Sequence, residues 1–227
     1  MRHWVVAILV IPCGLAAQSA PVALDVLPAV GTTKLAASLA AAAAHERHVW
    51  RDTPPFKSDG AVNAYVEISR GDRRKWELDM RANARAIDRM IPEAIGGYPV
   101  NYGFVPQTVS YDGDPFDALV LGPPLPGGAF VSGVIVGLFR MTDEKGLDSK
   151  VVLSPADEAG RPRYELTAND RDEIAEYFRK YKREETGGFS SVDGWGTIAD
   201  GRAFVVTTHA FFEKCRTRVG AACRLGD

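Results

Sequence analysis

Two stretches of alternating apolar and polar residues predict half-buried strands in the first half of the chain. In residues 63–68, and again in residues 75–80, every second side chain is apolar, which is the period of a strand with one face in the core. The pattern puts Glu67 on the polar side of the first strand and places Lys75 and Glu77 together on one face of the second. A surface ion pair would also explain Lys75 and Glu77.

Longer apolar segments predict the other elements. Buried strands are predicted at residues 118–121, 131–138 and 151–153, and a closing strand or helix at residues 205–215. A helix begins at a cap formed by Asn169 or Asp170 and extends to about residue 185. Ile174, Phe178 and Tyr181 form its apolar stripe, so we expect this helix to pack on the sheet.

Composition and charge narrow the class of protein. The chain has 227 residues, of which 46% are hydrophobic and 25% charged, enough for one domain with a buried core. Its formal net charge is −2, which removes the usual electrostatic case for nucleic acid or an anionic membrane as partner. We therefore expect no nucleic-acid partner.

The N-terminus has the layout of a secretory signal peptide, which we assign to residues 1–17. Arg2 and His3 precede an apolar run at residues 4–11, and small residues follow it up to a predicted cleavage site near Ala17. The run is shorter than the roughly 20 residues that span a bilayer. We expect a periplasmic or secreted protein without stable membrane insertion after signal removal. The alternative is a buried N-terminal strand or helix.

The segment at residues 18–47 is rich in alanine and offers no wide apolar face. We interpret it as a spacer or a peripheral helix. The domain itself is predicted to occupy residues 48–227.

The number and positions of the cysteines are consistent with an exported protein. Cys13 follows Pro12, where a lipoprotein signal needs a small residue, so lipidation is disfavoured. After signal removal Cys215 and Cys223 remain as an even pair that an oxidising compartment would allow to bridge. Two unrelated thiols are the alternative.

The strongest candidates for a functional site are the carboxylates of an acidic turn. Asp112, Asp114 and Asp117 place three carboxylates within six residues, immediately before a predicted strand. Two carboxylates about 4 Å apart repel by roughly 4 kcal/mol at an effective dielectric near 20, so such a cluster needs protons or cations. Oxygen ligands favour hard ions, Mg²⁺ first. An EF-hand is excluded because Asp117 falls where that loop needs glycine, whereas a solvated acidic turn stays open as an alternative.

The residues around this turn resemble the soluble inorganic pyrophosphatases of family I. That family's signature combines Tyr-Pro-x-Asn-Tyr-Gly-Phe/Tyr with Asp-Gly-Asp-Pro-x-Asp, which residues 98–104 and 112–117 match. The likeness extends from about residue 48 to about residue 195, and the other matching elements, in order, are Glu67, Lys75-Trp76-Glu77, Asp88-Arg89, the acidic stretch at residues 141–150, Tyr181-Lys182 and residues 192–195. Trp76 replaces a usual Tyr and Ser69 a usual Pro, and neither change removes a charge.

The resemblance implies a fold and an activity. The expected fold class is α+β, mainly β, with an OB-like five-stranded β-barrel flanked by helices. The expected reaction is hydrolysis of pyrophosphate to two phosphates with several Mg²⁺ ions. Bacterial members of the family are typically hexamers, so we expect a homo-oligomer.

The resemblance also implies roles for individual residues. Asp114 would accept the proton of a metal-bridging water. The main metal ligands would be Asp112, Asp117 and Asp148. Additional ions would be held by Asp143, Glu77 and, through water, Glu67. Contacts to phosphate would come from Lys75, Arg89, Tyr102, Lys150, Tyr181 and Lys182.

Purely structural roles would also explain several of these residues. Tyr102 and Tyr181 would serve equally as core aromatics, and a charged hairpin would explain residues 143–150. At the level of function the alternatives are a broader phosphomonoesterase and a non-catalytic binder of metal or polyphosphate on the same barrel.

Overall fold

The computed structural model describes residues 29–182 and 188–217. The helices are α1 (Ala29–Ala43), α2 (Val49–Asp52), α3 (Ala168–Tyr181) and α4 (Ile198–Cys215). The strands are β1 (Val62–Ile68), β2 (Arg74–Asp79), β3 (Ala84–Met90), β4 (Asn101–Val105), β5 (Phe116–Val120), β6 (Phe130–Asp143), β7 (Gly146–Leu147), β8 (Lys150–Pro155) and β9 (Ser190–Gly196). The predicted signal peptide and Cys223 lie outside the described residues.

Five strands pair in a closed ring. The order is β1-β4-β5-β8-β6, and β6 returns to pair with β1. Every pairing in the ring is antiparallel except that of β5 with β8. This order confirms the predicted OB-like five-stranded arrangement. Because the ring closes, each of its strands has a partner on both sides.

Two further sheet features flank the ring. Strands β2 and β3 form a separate antiparallel hairpin, and β9 pairs antiparallel with the second half of the long strand β6. The predicted strand at residues 131–138 covers the first part of β6, which continues to Asp143. The closing segment at residues 205–215 belongs to helix α4, which resolves the choice between strand and helix. None of the helices among the described residues has the length and apolar character needed to cross a bilayer.

The predicted cap of α3 was wrong. Thr167 caps the helix: its hydroxyl accepts from the Asp170 N–H at 3.1 Å, and the Asp170 carboxylate accepts from the Thr167 N–H at 3.0 Å. Asp170 thus serves as the third residue of a capping box. Helix α3 ends at Tyr181, and residues 183–187 lie outside the described part of the chain.

The core has three parts. One fills the space between the ring and α3, around Phe139 and Phe178. A second lies between the ring and α4, around Phe116 and Val205. The third joins α1, α2 and the end of α4 to the ring, with Trp50 at 0% exposure in it.

Cys215 belongs to that third part of the core. It is buried at the end of α4 and is disulfide-bonded. Its predicted partner lies outside the described residues, so the pairing with Cys223 stays a prediction.

Candidate active site

One pocket collects most of the predicted site residues. Its lining includes side chains from β1, β2, β4, the turn before β5, the end of β6, the start of β8 and the end of α3. The predicted residues in the lining are Asp112, Asp114, Asp117, Asp143, Asp148, Glu67, Glu77, Lys75, Tyr102, Lys150, Tyr181 and Lys182. Arg89 does not line the pocket, but its guanidinium donates to the Tyr181 hydroxyl at 3.0 Å.

The acidic turn directs two carboxylates into this pocket. Gly113 has φ 87°, a conformation that favours glycine, and the Asp114 N–H donates to an Asp112 carboxylate oxygen at 3.1 Å. Burial and the neighbouring charge of Asp112 raise the pKa of Asp114 to about 7. Burial opposes ionisation of Asp112 as well, but the Lys145 ammonium and hydrogen bonds from Asp114 hold the pKa of Asp112 below its usual value. The two acids therefore differ in proton affinity.

Lys150 lies between two of the predicted metal ligands. Its ammonium is 2.6 Å from Asp117 and 2.8 Å from Asp148, and its side chain is only 2% exposed. It also lies over the Tyr102 ring, 5.6 Å from the ring centroid. Burial raises the pKa of Asp148 to about 7 even though Lys150 opposes the shift. A fully buried ammonium thus supplies positive charge where the acids converge.

Glu67 is more enclosed than the strand pattern indicated. Its side chain is buried, and one carboxylate oxygen accepts from the Leu78 N–H at 2.6 Å. Burial raises the pKa of Glu67 well above its usual value. Glu67 therefore lies in the wall of the pocket and not on a solvated surface.

The β2–β3 hairpin supplies a charged network. Lys75 pairs with Glu77 and, at 3.1 Å, with Asp88, which also accepts from Arg89 at 2.7 Å. The predicted common face of Lys75 and Glu77 is confirmed. Asp88 was not predicted as a site residue, although it lies beside Arg89 in sequence.

Lys182 and the end of β6 form the opposite wall. The Lys182 ammonium is 2.7 Å from Asp143 and 2.6 Å from Glu144, and its side chain is 11% exposed. Burial acts against the charge of Lys182, but hydrogen bonds to the two carboxylates raise its pKa overall. Lys182 therefore stays cationic.

Sequence reasoning missed four polar residues that line the pocket without having been predicted as site residues: Lys34, Ser38, Ser110 and Lys145. Lys145 approaches Asp112 at 3.4 Å, and its charged neighbourhood in the sequence was a usable signal. Lys34 forms an ion pair with Asp114. No local signal pointed to Lys34 and Ser38, because they belong to α1, far from the acidic turn in sequence.

The donor set fits hard divalent cations. All of the acids gathered in the pocket offer oxygen ligands, which suit Mg²⁺. In the described part of the chain, however, no three Asp, Glu, His or Cys side chains stand close enough to hold a metal ion as they are. Lysine ammonium groups contact Asp112, Asp114, Asp117, Asp143 and Asp148. The residue types fit an ion, and these lysine contacts would have to loosen to admit it.

Fold and pocket together define a class of protein: an enzyme with an OB-like ring whose acids and bases suit phosphate compounds and hard cations. Residues 64–213 match the family described as "Inorganic pyrophosphatase". The inorganic pyrophosphatase of Ralstonia nicotianae is 37% identical over 160 residues, which are 67% of this chain and 91% of that protein. The chain belongs to the inorganic pyrophosphatase family, and it is a hydrolase.

Solved structures agree with this assignment. The inorganic pyrophosphatase of Thermus thermophilus has a TM-score of 0.67 and 32% identity, over 74% of this chain and 99% of that one. The enzyme of Helicobacter pylori has a TM-score of 0.65 and 29% identity, over 72% and 99% respectively.

Proposed function

We propose that this protein hydrolyses inorganic pyrophosphate to two phosphates with Mg²⁺, in an exported compartment. The observation that carries the proposal is the convergence of acids from separate segments in one pocket with basic and phenolic groups. Such a pocket suits a polyanion that is bound together with cations. The signal-peptide pattern of residues 1–17 supports export.

The acids have two roles in this proposal. Asp112, Asp117 and Asp148 are the main metal ligands, and Asp143, Glu77 and Glu67 serve additional ions. Bound Mg²⁺ would lower the pKa of the attacking water and offset the charge of the substrate.

Asp114 is the general base. Its carboxylate accepts the proton of the attacking water, and a pKa raised by burial and by Asp112 suits that role near neutral pH. Because Asp112 keeps a lower pKa, it serves as an ion ligand while the neighbouring Asp114 serves as the proton acceptor.

The basic and phenolic groups bind phosphate. Lys75, Arg89, Tyr102, Lys150, Tyr181 and Lys182 would neutralise the substrate and the phosphate that leaves. Lys150 and Lys182 are held in place by two carboxylates each. Both ammonium groups are therefore already at the pocket, and loosening of these contacts on metal binding would free them to bind phosphate oxygens.

The first test is phosphate release from Mg-pyrophosphate by the mature protein. We expect release that EDTA abolishes and Mg²⁺ restores. Activity that is indifferent to chelation would contradict the metal assignment. Turnover of p-nitrophenyl phosphate or ATP comparable to that of pyrophosphate would favour a phosphomonoesterase, and tight pyrophosphate binding without hydrolysis would favour a binding protein.

The second test concerns Asp114. Asp114→Asn should lower kcat at least about a hundredfold, the usual minimum contribution of a general base, with an unchanged far-UV spectrum. Asp59→Asn is the matched control, because Asp59 is an exposed acid that pairs only weakly, at 3.8 Å, with Lys57. Equal kcat in Asp114→Asn and wild type would remove the role given to Asp114.

Export and assembly are tested separately. We expect the mature protein in the periplasmic or secreted fraction of the producing cell, and a homo-oligomer by light scattering. Retention of an uncleaved chain in the cytoplasm would contradict the signal peptide.

A further inference from the structure

Helix α1 lies outside the segment that matches the family, yet it is anchored to the domain. The family match begins at residue 64. Leu35, Leu39 and Ala42 of α1 are buried, at 1%, 5% and 0% exposure, among residues of α2, the ring and α4. Burial removes the apolar surface of both leucines from water, and the two side chains therefore give α1 a defined position.

The C-terminal end of α1 is fixed as well. The Arg51 guanidinium donates to the carbonyl oxygens of Ala42, His45 and Glu46 at 2.6, 3.0 and 3.0 Å. Ala42 belongs to the last turn of α1, and His45 and Glu46 belong to the segment that follows it, so the guanidinium ties the end of the helix and the following chain to α2. Helix α1 is therefore held both by its apolar face and by its end.

A second face of α1 forms a wall of the pocket. Lys34 and Ser38 are four residues apart, so they lie one above the other on the helix, and both line the pocket that contains the predicted site. The Lys34 ammonium pairs with Asp114. The helix thus brings a positive charge to the side of the pocket where the proposed general base lies.

Lys34 differs from the buried lysines of the site. Lys150 and Lys182 each contact two carboxylates and are nearly enclosed, at 2% and 11% exposure. Lys34 is 45% exposed, and Asp114 is the one acid of the described part with which it pairs. Its flexible four-carbon stem lets the ammonium exchange that carboxylate for a nearby anion without movement of the helix.

We propose that Lys34 is an additional substrate-binding residue, supplied by α1, which binds the phosphate oxygens nearest Asp114. The inference rests on the proposed function, because pyrophosphate is the anion to which Lys34 would transfer. Transfer to the substrate also separates the ammonium from Asp114 and leaves that carboxylate available to accept a proton. Helix α1 is then part of the substrate pocket and not a spacer.

The test compares Lys34→Gln with Lys34→Arg in steady-state hydrolysis of Mg-pyrophosphate. We expect Lys34→Gln to raise KM at least about tenfold, which corresponds to about 1.4 kcal/mol, because the variant loses a hydrogen bond between a charged donor and the phosphate. The kcat should change less than about twofold. Lys34→Arg should have a KM close to that of the wild type. Lys57→Gln is the control, because Lys57 is equally exposed and does not line the pocket.

An unchanged KM in Lys34→Gln would overturn the proposal. If the Mg²⁺ concentration for half-maximal activity also falls in that variant, Lys34 only competes with metal at Asp114.

Calorimetry separates this inference from the proposed function. If the wild type releases no phosphate, the proposed function fails, but titration with pyrophosphate and Mg²⁺ still tests Lys34. Weaker binding to Lys34→Gln than to the wild type would support the role in binding, and equal affinity would refute it.

Discussion

Lys150 shows how a single residue organises the pocket. Burying an ammonium is costly unless it is paired and hydrogen-bonded, and Lys150 satisfies this condition with Asp117 at 2.6 Å and Asp148 at 2.8 Å. In return it offsets the repulsion between those two carboxylates. The buried lysine therefore keeps the acids together in the metal-free protein.

His48 is a second residue whose charge state is set by burial. Its Nε2 bonds to the Met80 carbonyl at 3.0 Å, while its Nδ1 accepts from the Trp50 N–H at 3.2 Å. This pattern requires the neutral ring with the proton on Nε2. Burial, the largest influence, lowers the pKa of His48 below 6.5.

A stability change with pH follows from His48. The unfolded chain binds the proton more readily than the folded protein, so the contribution of His48 is complete above about pH 6.5 and is lost as the pH falls below that value. His48→Asn can still cap α2 but does not titrate, and we expect a smaller loss of stability between pH 7 and pH 5. Urea unfolding at several pH values measures this. The same substitution at half-buried His45 is the control, and an unchanged slope in His48→Asn would contradict the argument.

At the scale of elements, α1 gives the clearest prediction. Leu39 is 5% exposed in the cluster with Trp50 and Phe212, so Leu39→Ala should cost about 2–5 kcal/mol. If α1 alone detaches, the loss appears as faster amide exchange in α1. If α1 detaches, the KM for pyrophosphate should rise as in Lys34→Gln.

Ala40→Gln is the matched control, since Ala40 lies on the exposed face of α1 and glutamine is a good helix former. Denaturant unfolding, hydrogen exchange and KM are measured for both variants. Leu39→Ala with unchanged stability, exchange and KM would mean that α1 is not held as described.

At the scale of the whole molecule, the clustering of acidic side chains in the pocket should make the free energy of unfolding depend on both pH and bound metal. Burial raises the pKa values of Asp114 and Asp148 from 3.8 to about 7. The folded protein therefore binds more protons than the unfolded chain between about pH 4 and pH 7, and its metal-free stability should fall as the pH rises through that window. A cation that binds the ionised carboxylates should remove this loss.

Urea unfolding at pH 5.5 and pH 7.5, with EDTA or Mg²⁺, tests this prediction. A Mg²⁺ concentration of 100 times its Kd should add about 2.7 kcal/mol, and the gain should be larger at pH 7.5. The His48→Asn background removes the opposing contribution of that histidine. Metal-free stability that rises between pH 5.5 and pH 7.5 in this background would contradict the assignment of raised pKa values.

Much of the fold and of the pocket could be predicted from local sequence. The alternation in residues 63–68 and the apolar run at residues 118–121 correspond to β1 and β5, because a strand's periodicity is written in neighbouring residues. Asp112, Asp114 and Asp117 are also close together in the chain, so their spacing alone indicated a cation site. What local sequence missed was the Thr167 cap, since several polar residues near the start of α3 were equally suitable.

The amino-acid sequence by itself determined the chemical groups, their local spacing and, through its resemblance to a family, the reaction class. Only the tertiary structure decided that β6 returns to β1 to close the ring, that Lys150 bridges Asp117 and Asp148, and that Lys34 reaches Asp114. These contacts join residues far apart in the chain, and their formation depends on the packing of α1, the ring and α4 together. No short stretch of sequence carries that information.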